Sequence, residues 1–274
     1  MTNRVMTTLT AACAFFAVGI LVLILGYIAA RGLSAFSVQF LIDTPKPIGE
    51  GGGIGNAILG SAILLVISSV IGLPIGIAIG IYLAEFGTNR FGNLIRFTAD
   101  TMTGVPSIII GVFVYTLILA IRASMPDFPQ FTALAGGIAL ALIMVPIVAR
   151  TTEEMIRLVP VSMREGALAL GAPQWRVTLG VVLPAAASGI ATGAMLAVAR
   201  VSGETAPLLF TAFNNSFYTY YIDDPVSSLT VQIYNYAISP YPEWHAQAWA
   251  ATLVLMTLIL VINIIVRYLT RQKF

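Results

Sequence analysis

Residues 150–184 read RTTEEMIRLVPVSMREGALALGAPQWRVTLGVVLP and separate two long apolar runs. The stretch has helical character with both signs of charge, from Arg150, Glu153, Glu154 and Arg157 to Arg164, Glu165 and Arg176. Pro160 breaks it, because proline has no N–H to give a helix interior. Gly171 and Pro173 then end the segment that follows. Two short helices in an L are expected. They carry Met163, Ala167, Leu168, Leu170 and Trp175 but have no core of their own. Apolar residues on so short a helix need either a partner surface or the headgroup layer of a bilayer.

The flanking composition places the loop in a membrane protein. The 274 residues are 58% hydrophobic and only 9% charged. A soluble domain of this size carries about a quarter charged residues, so too little polar surface exists here to cover a water-soluble globule. Six runs reach the ~20 residues a spanning helix needs: 9–30, 56–84, 98–121, 132–149, 181–201 and 249–266. The second is long enough to tilt or to kink at Pro74. The first is too long for a signal-peptide core and reads as a true helix. The reading is all-α, a polytopic membrane protein of six transmembrane helices in a single domain, 1–274, with the loop 150–180 between the fourth and fifth.

Several functions are excluded by what is missing. With one cysteine, Cys13, and one histidine, His245, neither an internal disulfide nor a Cys/His zinc cluster can form. Neither lysine, Lys46 nor Lys273, lies in a phosphate-loop context. No nucleophile–base or metal signature appears. Energy for uphill transport must come from another chain or from an ion gradient.

Charge sets the expected orientation. With the N-terminus in the cytoplasm, ten basic residues face inward: Arg4, Arg90, Arg96, Arg150, Arg157, Arg164, Arg176, Arg267, Arg271 and Lys273. Arg31, Lys46 and Arg122 face outward, and the positive-inside rule then puts both termini in the cytoplasm. The outer loop before the second span ends in a glycine-rich run, 49–55, read as a turn rather than a phosphate nest. His245, beside Trp244, reads as an interfacial anchor. Tyr218, Tyr220, Tyr221, Asp223 and Asp224 either touch a delivery protein or cover the pore mouth.

Arg200 and Glu204 stand four residues apart at the end of the fifth span, which predicts one helix face. An arginine at mid-bilayer costs roughly 2.5–3.5 kcal/mol on insertion scales, so it should face the protein interior or a watery path. Its planar fork of donors suits a tetrahedral oxyanion. The residues leave two readings open, an anion path and a self-neutralising pair. The order Arg then Glu is the weaker orientation for a bridge within a helix.

The spacing Glu165-Gly166-Ala167, Gly171, Val181, Leu183-Pro184 resembles the EAA loop of ABC importer membrane subunits, with Gly166 and Val181 departing from its consensus. The resemblance implies a type I importer membrane domain in which Arg164, Glu165, Gly166, Ala167, Gly171, Leu183 and Pro184 couple to an ATPase. The run from Ala199-Arg200 through Gly203-Glu204-Thr205-Ala206-Pro207 resembles the PstA-type permease of phosphate ABC importers. Residues 104–108 and 150–154, Glu243-Trp244 and Trp249-Ala250 resemble it too. This resemblance implies a bacterial inner-membrane subunit with Arg200, Glu204 and Arg150 on the substrate pathway. It implies a PstC-like second permease, a PstB-like ATPase dimer that binds ATP and magnesium, a PstS-like phosphate-binding protein, surrounding lipid, no nucleic acid and no cofactor on this chain. Permeation of sulfate or molybdate is the nearest rival. A self-sufficient secondary transporter is a more distant one, disfavoured by the missing inverted repeat.

Overall fold

The computed structural model describes residues 2–269. Arg271 and Lys273 of the charge count lie outside them, and so does the side chain of Arg267. Among the described residues the chain is all-α, with one isolated bridge, Pro45 to Gly52. Six helices of the described residues are long and apolar enough to cross a membrane. They are α1 (Thr2–Gly32), α3 (Gly55–Glu85), α5 (Ser107–Ser124), α6 (Ala133–Arg157), α9 (Leu183–Ser202, extended back to Gln174) and α12 (Pro242–Leu269). Shorter helices join them: α2 (Val38–Ile42), α4 (Arg90–Gly104), α7 (Val161–Ala169), α8 (Gln174–Val177), α10 (Ala206–Thr211) and α11 (Leu229–Ala237).

The most extensive contact is between α3 and α6, and a four-residue repeat of small side chains explains it. Ser68, Gly72, Gly76 and Gly80 form a buried stripe on α3. A Cβ added at Gly72 would lie 3.1 Å from the Met144 sulfur, one at Gly76 2.7 Å from Val148 Cβ, and one at Gly80 2.5 Å from Thr152 Cβ. The partners on α6 also recur every four residues. Small residues let helix backbones approach where lipid offers no hydrophobic drive between helices. The central core lies on this seam, with Leu64, Leu140, Met144, Val148, Ala197 and Leu208. Helix α9 packs on the same helix through Gly189 against Met155 and Gly193 against Thr151. Helix α1 is exposed along most of its length and packs on α12, where Gly32 meets Trp249 and Leu253.

Two expected boundaries change. The third span is not 98–121. Helix α4 ends at Gly104, and α5 starts afresh at Ser107. Proline at 106 cannot donate a bond and pushes the residue before it out of the helical region; Val105 accordingly has ψ 130°. The polar part of the predicted span belongs to an amphipathic helix bearing Arg96 and Asp100. The loop 150–180 also shrinks. Arg150 to Arg157 form the last two turns of α6, and α9 is helical back to Gln174 through a π-helical turn, Thr178–Val182. Pro184 just beyond that turn has no N–H to bond one turn back, which suits a locally widened register. The kink allowed at Pro74 does not end the second span; α3 runs through it as one helix.

Candidate functional site

A cavity of about 270 Å³ opens between α4, α5, α6 and α9. Ile143 and Ile147, in the middle of α6, line one side of it. The α4–α5 break supplies Met102, Thr103, Val105 and Ser107; Ile110 and Arg200 complete the lining. The break matters because it points the start of an 18-residue helix into the cavity. The N-cap of α5 is Pro106, which has no side-chain oxygen; its carbonyl accepts from the Ile109 N–H at 2.9 Å, which leaves the N–H groups of Ser107 and Ile108 at the helix start. An open helix N-terminus attracts anions. Thr103 and Ser107 add hydroxyls to otherwise apolar walls.

Arg200 supplies the full positive charge. Its side chain is 58% exposed, so the guanidinium is not consumed by the fold. Glu204 is 15% exposed, and its carboxylate lies 3.9 Å from Nη2 of Arg200. That separation is beyond hydrogen-bond length. The two do not share a helix face, contrary to expectation: α9 ends at Ser202 and Gly203 caps it. Glu204 sits in the connection to α10, where its carbonyl accepts a bond from the Thr230 hydroxyl at 2.8 Å. Pro207, in the first turn of α10, packs on α5 at Gly111. The pair is thus held by two elements, with room for Arg200 to take another partner.

Arg150 has a different fate. It lies one turn beyond Ile147, and its guanidinium grips Asp100 of α4 through Nε at 2.8 Å and Nη2 at 3.2 Å. Nη1 reaches Glu153 at 3.3 Å. Glu153 is the hub of this cluster, only 2% exposed, and it accepts from Arg96 Nε at 2.7 Å and pairs with Arg157 Nη2 at 2.7 Å. Arg96 also donates to the carbonyls of Leu83 and Gly87, each at 2.7 Å, and so clamps the end of α3 to α4 and α6. Arg150 is therefore committed to structural partners, unlike Arg200. Sequence reasoning passed over Glu153, Arg96 and Asp100 as site residues. The available signal was the spacing Arg150, Glu153, Arg157, which puts a carboxylate between two arginines on one helix face.

The loop end takes the expected L shape. Helix α7 ends at Leu170, Gly171 turns the chain at φ +82°, and Pro173 caps α8. Left-handed φ is the conformation glycine adopts without a Cβ penalty. Glu165, Gly166 and Gly171 are exposed, and neither glycine has own-chain atoms near its missing Cβ. Around them stand Val161, Met163, Leu168, Leu170 (90% exposed) and Trp175, an apolar surface on a helix with no buried residue. Ala167 and Leu183 face inward, against a small cluster with Ile156, Val177 and Val182. Arg164 also points inward and pairs with Glu85. Pro184 is exposed at the first turn of α9.

At the other end, the glycine run forms a turn with positive φ at Gly49, Gly51 and Gly52. The anion it binds is the chain's own Glu243, which accepts from the Gly49 N–H at 3.0 Å. His245 is tied by Nε2 to the Ser239 carbonyl at 2.6 Å. Tyr218 donates its hydroxyl to the Ile42 carbonyl and Asp224 accepts from Thr219 at 2.9 Å, whereas Tyr220, Tyr221 and Asp223 are exposed. Burial pushes the Tyr236 phenol on α11 above its ordinary 10.0, so it stays protonated.

Residues 76–273 match the family described as binding-protein-dependent transport system inner membrane component. The chain is 43% identical over 273 residues to the phosphate transport system permease protein PstA of Yersinia pestis, spanning 99% of this chain and 90% of that one. It is 44% identical over 252 residues to the PstA of Haemophilus influenzae, covering 91% and 87%. Its fold is similar to a crystal structure of a bacterial ABC transporter involved in import of the acidic polysaccharide alginate. There the TM-score is 0.63 at 13% identity, over 98% of each chain.

Proposed function

The chain belongs to the PstA family of phosphate transport system permease proteins, within the binding-protein-dependent inner membrane components, and we infer from that premise that it forms half of a phosphate-conducting pore driven by ATP hydrolysed on another chain. It is a transport subunit with a type I ABC importer membrane fold, not itself an enzyme. The observation that carries the pathway assignment is the half-exposed Arg200 guanidinium, in a cavity that also receives the N-terminus of α5.

The mechanism follows from that geometry. Phosphate at neutral pH carries one or two negative charges and three or more acceptor oxygens. Arg200 gives it charge and paired donors, and the hydroxyls of Thr103 and Ser107 and the α5 N-terminus add directional donors. Glu204, close but not bonded, lowers the net attraction, so that the anion is held briefly and released; a conducting site must bind weakly enough to let go. Arg150, already neutralised by Asp100 and Glu153, shapes the inner end of the path and holds it together without binding phosphate with its full charge.

The other assignments rest on the same membership and on the exposed surfaces. A PstC-like chain would close the cavity from the open side of Arg200. The apolar face of α7 and α8, with Glu165, Gly166 and Gly171 at its edge, would dock on a PstB-like ATPase dimer that holds ATP and magnesium. A PstS-like protein would deliver phosphate at the opposite end. The ten-to-three distribution of basic residues supports a cytoplasmic coupling loop and cytoplasmic termini.

The test is ATP-dependent uptake of labelled phosphate by cells lacking their own high-affinity system and supplied with this chain and its partners. Sulfate and molybdate serve as competitors. Uptake of phosphate that resists excess sulfate and molybdate supports the assignment. Uptake competed away by either anion contradicts it.

A further inference from the structure

The last turn of α3 carries a carboxylate that the pathway does not use. Glu85 is 6% exposed and pairs with Nη1 of Arg164 on α7. Through Nη2 the same guanidinium donates to the Ile156 carbonyl in the last turn of α6, at 2.7 Å. The other carboxylate oxygen of Glu85 faces the hydroxyl of Thr178 at 3.4 Å, a hydroxyl it shares with the Gln174 carbonyl at 3.1 Å, and Thr178 is the first residue of the π-helical turn that leads into α9. Four elements thus meet around one ion pair: the ends of α3 and α6, the helix α7, and the root of α9.

The location gives this contact more weight than an ordinary ion pair. Helix α7 has nine residues and none is buried. Ala167 is its main apolar contact with the bundle, while Val161, Met163 and Leu168 face away. So small a contact area holds a helix weakly against a load. A mostly buried, charge-assisted pair is directional, and it resists sliding where apolar contact does not. The π turn beside it is an irregular register of the kind found at functional hinges. Twenty-two residues beyond Thr178, at the far end of α9, stands Arg200.

We propose that Glu85 is a positioning residue for transport: it clamps α7, through Arg164, to the root of α9, so that displacement of the coupling loop reaches Arg200 instead of being lost as slip of α7. The proposal rests on the reading that α7 and α8 dock the ATPase. Glu85 touches neither phosphate nor ATPase; it acts by making two elements move together.

The experiment uses the complete transporter in proteoliposomes with its binding protein, and reads phosphate transported per ATP hydrolysed. The variants are Glu85→Gln, Arg164→Gln and the exchange Glu85→Arg/Arg164→Glu. Each single variant is expected to assemble, to hydrolyse ATP within about twofold of wild type, and to transport about tenfold less phosphate per ATP, the size of one lost charge-assisted bond. The exchange is expected to recover at least about threefold over either single variant. An unchanged ratio in Glu85→Gln overturns the clamp. So does a fall in hydrolysis that matches the fall in transport, or loss of assembly that the exchange does not reverse. Leu170→Asp, on the exposed face, separates the two readings. ATPase that still co-purifies fully with this variant contradicts docking at α7, whereas lost co-purification alongside an unchanged Glu85→Gln ratio contradicts the clamp alone.

Discussion

Replacing Glu153 by Gln removes one negative charge from between three guanidiniums at almost constant volume. Glu153 is 2% exposed, and its carboxylate meets Arg96 and Arg157 at 2.7 Å and Arg150 at 3.3 Å. A glutamine can keep its oxygen on Arg96 and Arg157, which share Oε1, but it loses the charge opposite them and turns its NH₂ donor toward Nη1 of Arg150. Breaking a buried pair by removing one partner costs about 3–5 kcal/mol. Arg96, at 18% exposed the least solvated of the three, feels the lost charge most, but its bonds to Leu83 and Gly87 survive, which favours the lower end of that range. Arg157 is 56% exposed and adds under about 1 kcal/mol. Arg150 keeps Asp100. The expected loss is about 3–4 kcal/mol, measured by denaturant titration of the purified subunit in detergent. Arg157→Gln is the matched control, at about 1 kcal/mol or less. If Glu153→Gln is no worse than that control, Glu153 is not the hub and the reasoning fails.

Three further outcomes follow from single contacts. Gly76→Ala should destabilise the subunit by about 1–3 kcal/mol in the same titration, because its Cβ would sit 2.7 Å from that of Val148 and 3.0 Å from the Val145 carbonyl. Gly171→Ala should cost about 1–2 kcal/mol from backbone strain alone, since φ is +82° and the space is open. Gly171→Trp should abolish phosphate uptake while leaving membrane insertion intact, read by uptake and by membrane fractionation.

Much of this architecture was legible from residue type and spacing. The six apolar runs survive as six long helices, since bilayer thickness sets their length whatever they pack against. The turn at Gly171 and the break at Pro160 were readable because glycine and proline act locally. The exposed apolar face of the loop was implied by residues with no core to enter. What failed depended on tertiary partners. The third span was misplaced because Phe97 and Met102 extend the apolar run across a proline break, while Arg96 and Asp100 find partners on α6. The pairing of Arg150 was not visible because its partner Asp100 lies 50 positions away. The packing of Arg164 against the bundle was not visible either, because its partner Glu85 lies 79 positions earlier. The Arg200–Glu204 spacing misled as helix geometry, because Gly203 ends α9 between them.

The central claim is that Arg200 binds phosphate in passage because its charge is exposed in the cavity. The most direct test is the initial rate of ATP-dependent phosphate uptake by wild type, Arg200→Ala and Arg200→Lys, at equal amounts of assembled complex. The account predicts that Arg200→Ala falls at least about a hundredfold, as removal of a charged partner worth roughly 3 kcal/mol implies. Arg200→Lys, which keeps the charge but loses the fork, should lie between. An Arg200→Ala complex that transports phosphate at the wild-type rate would reduce Arg200 and Glu204 to a structural pair and contradict the account.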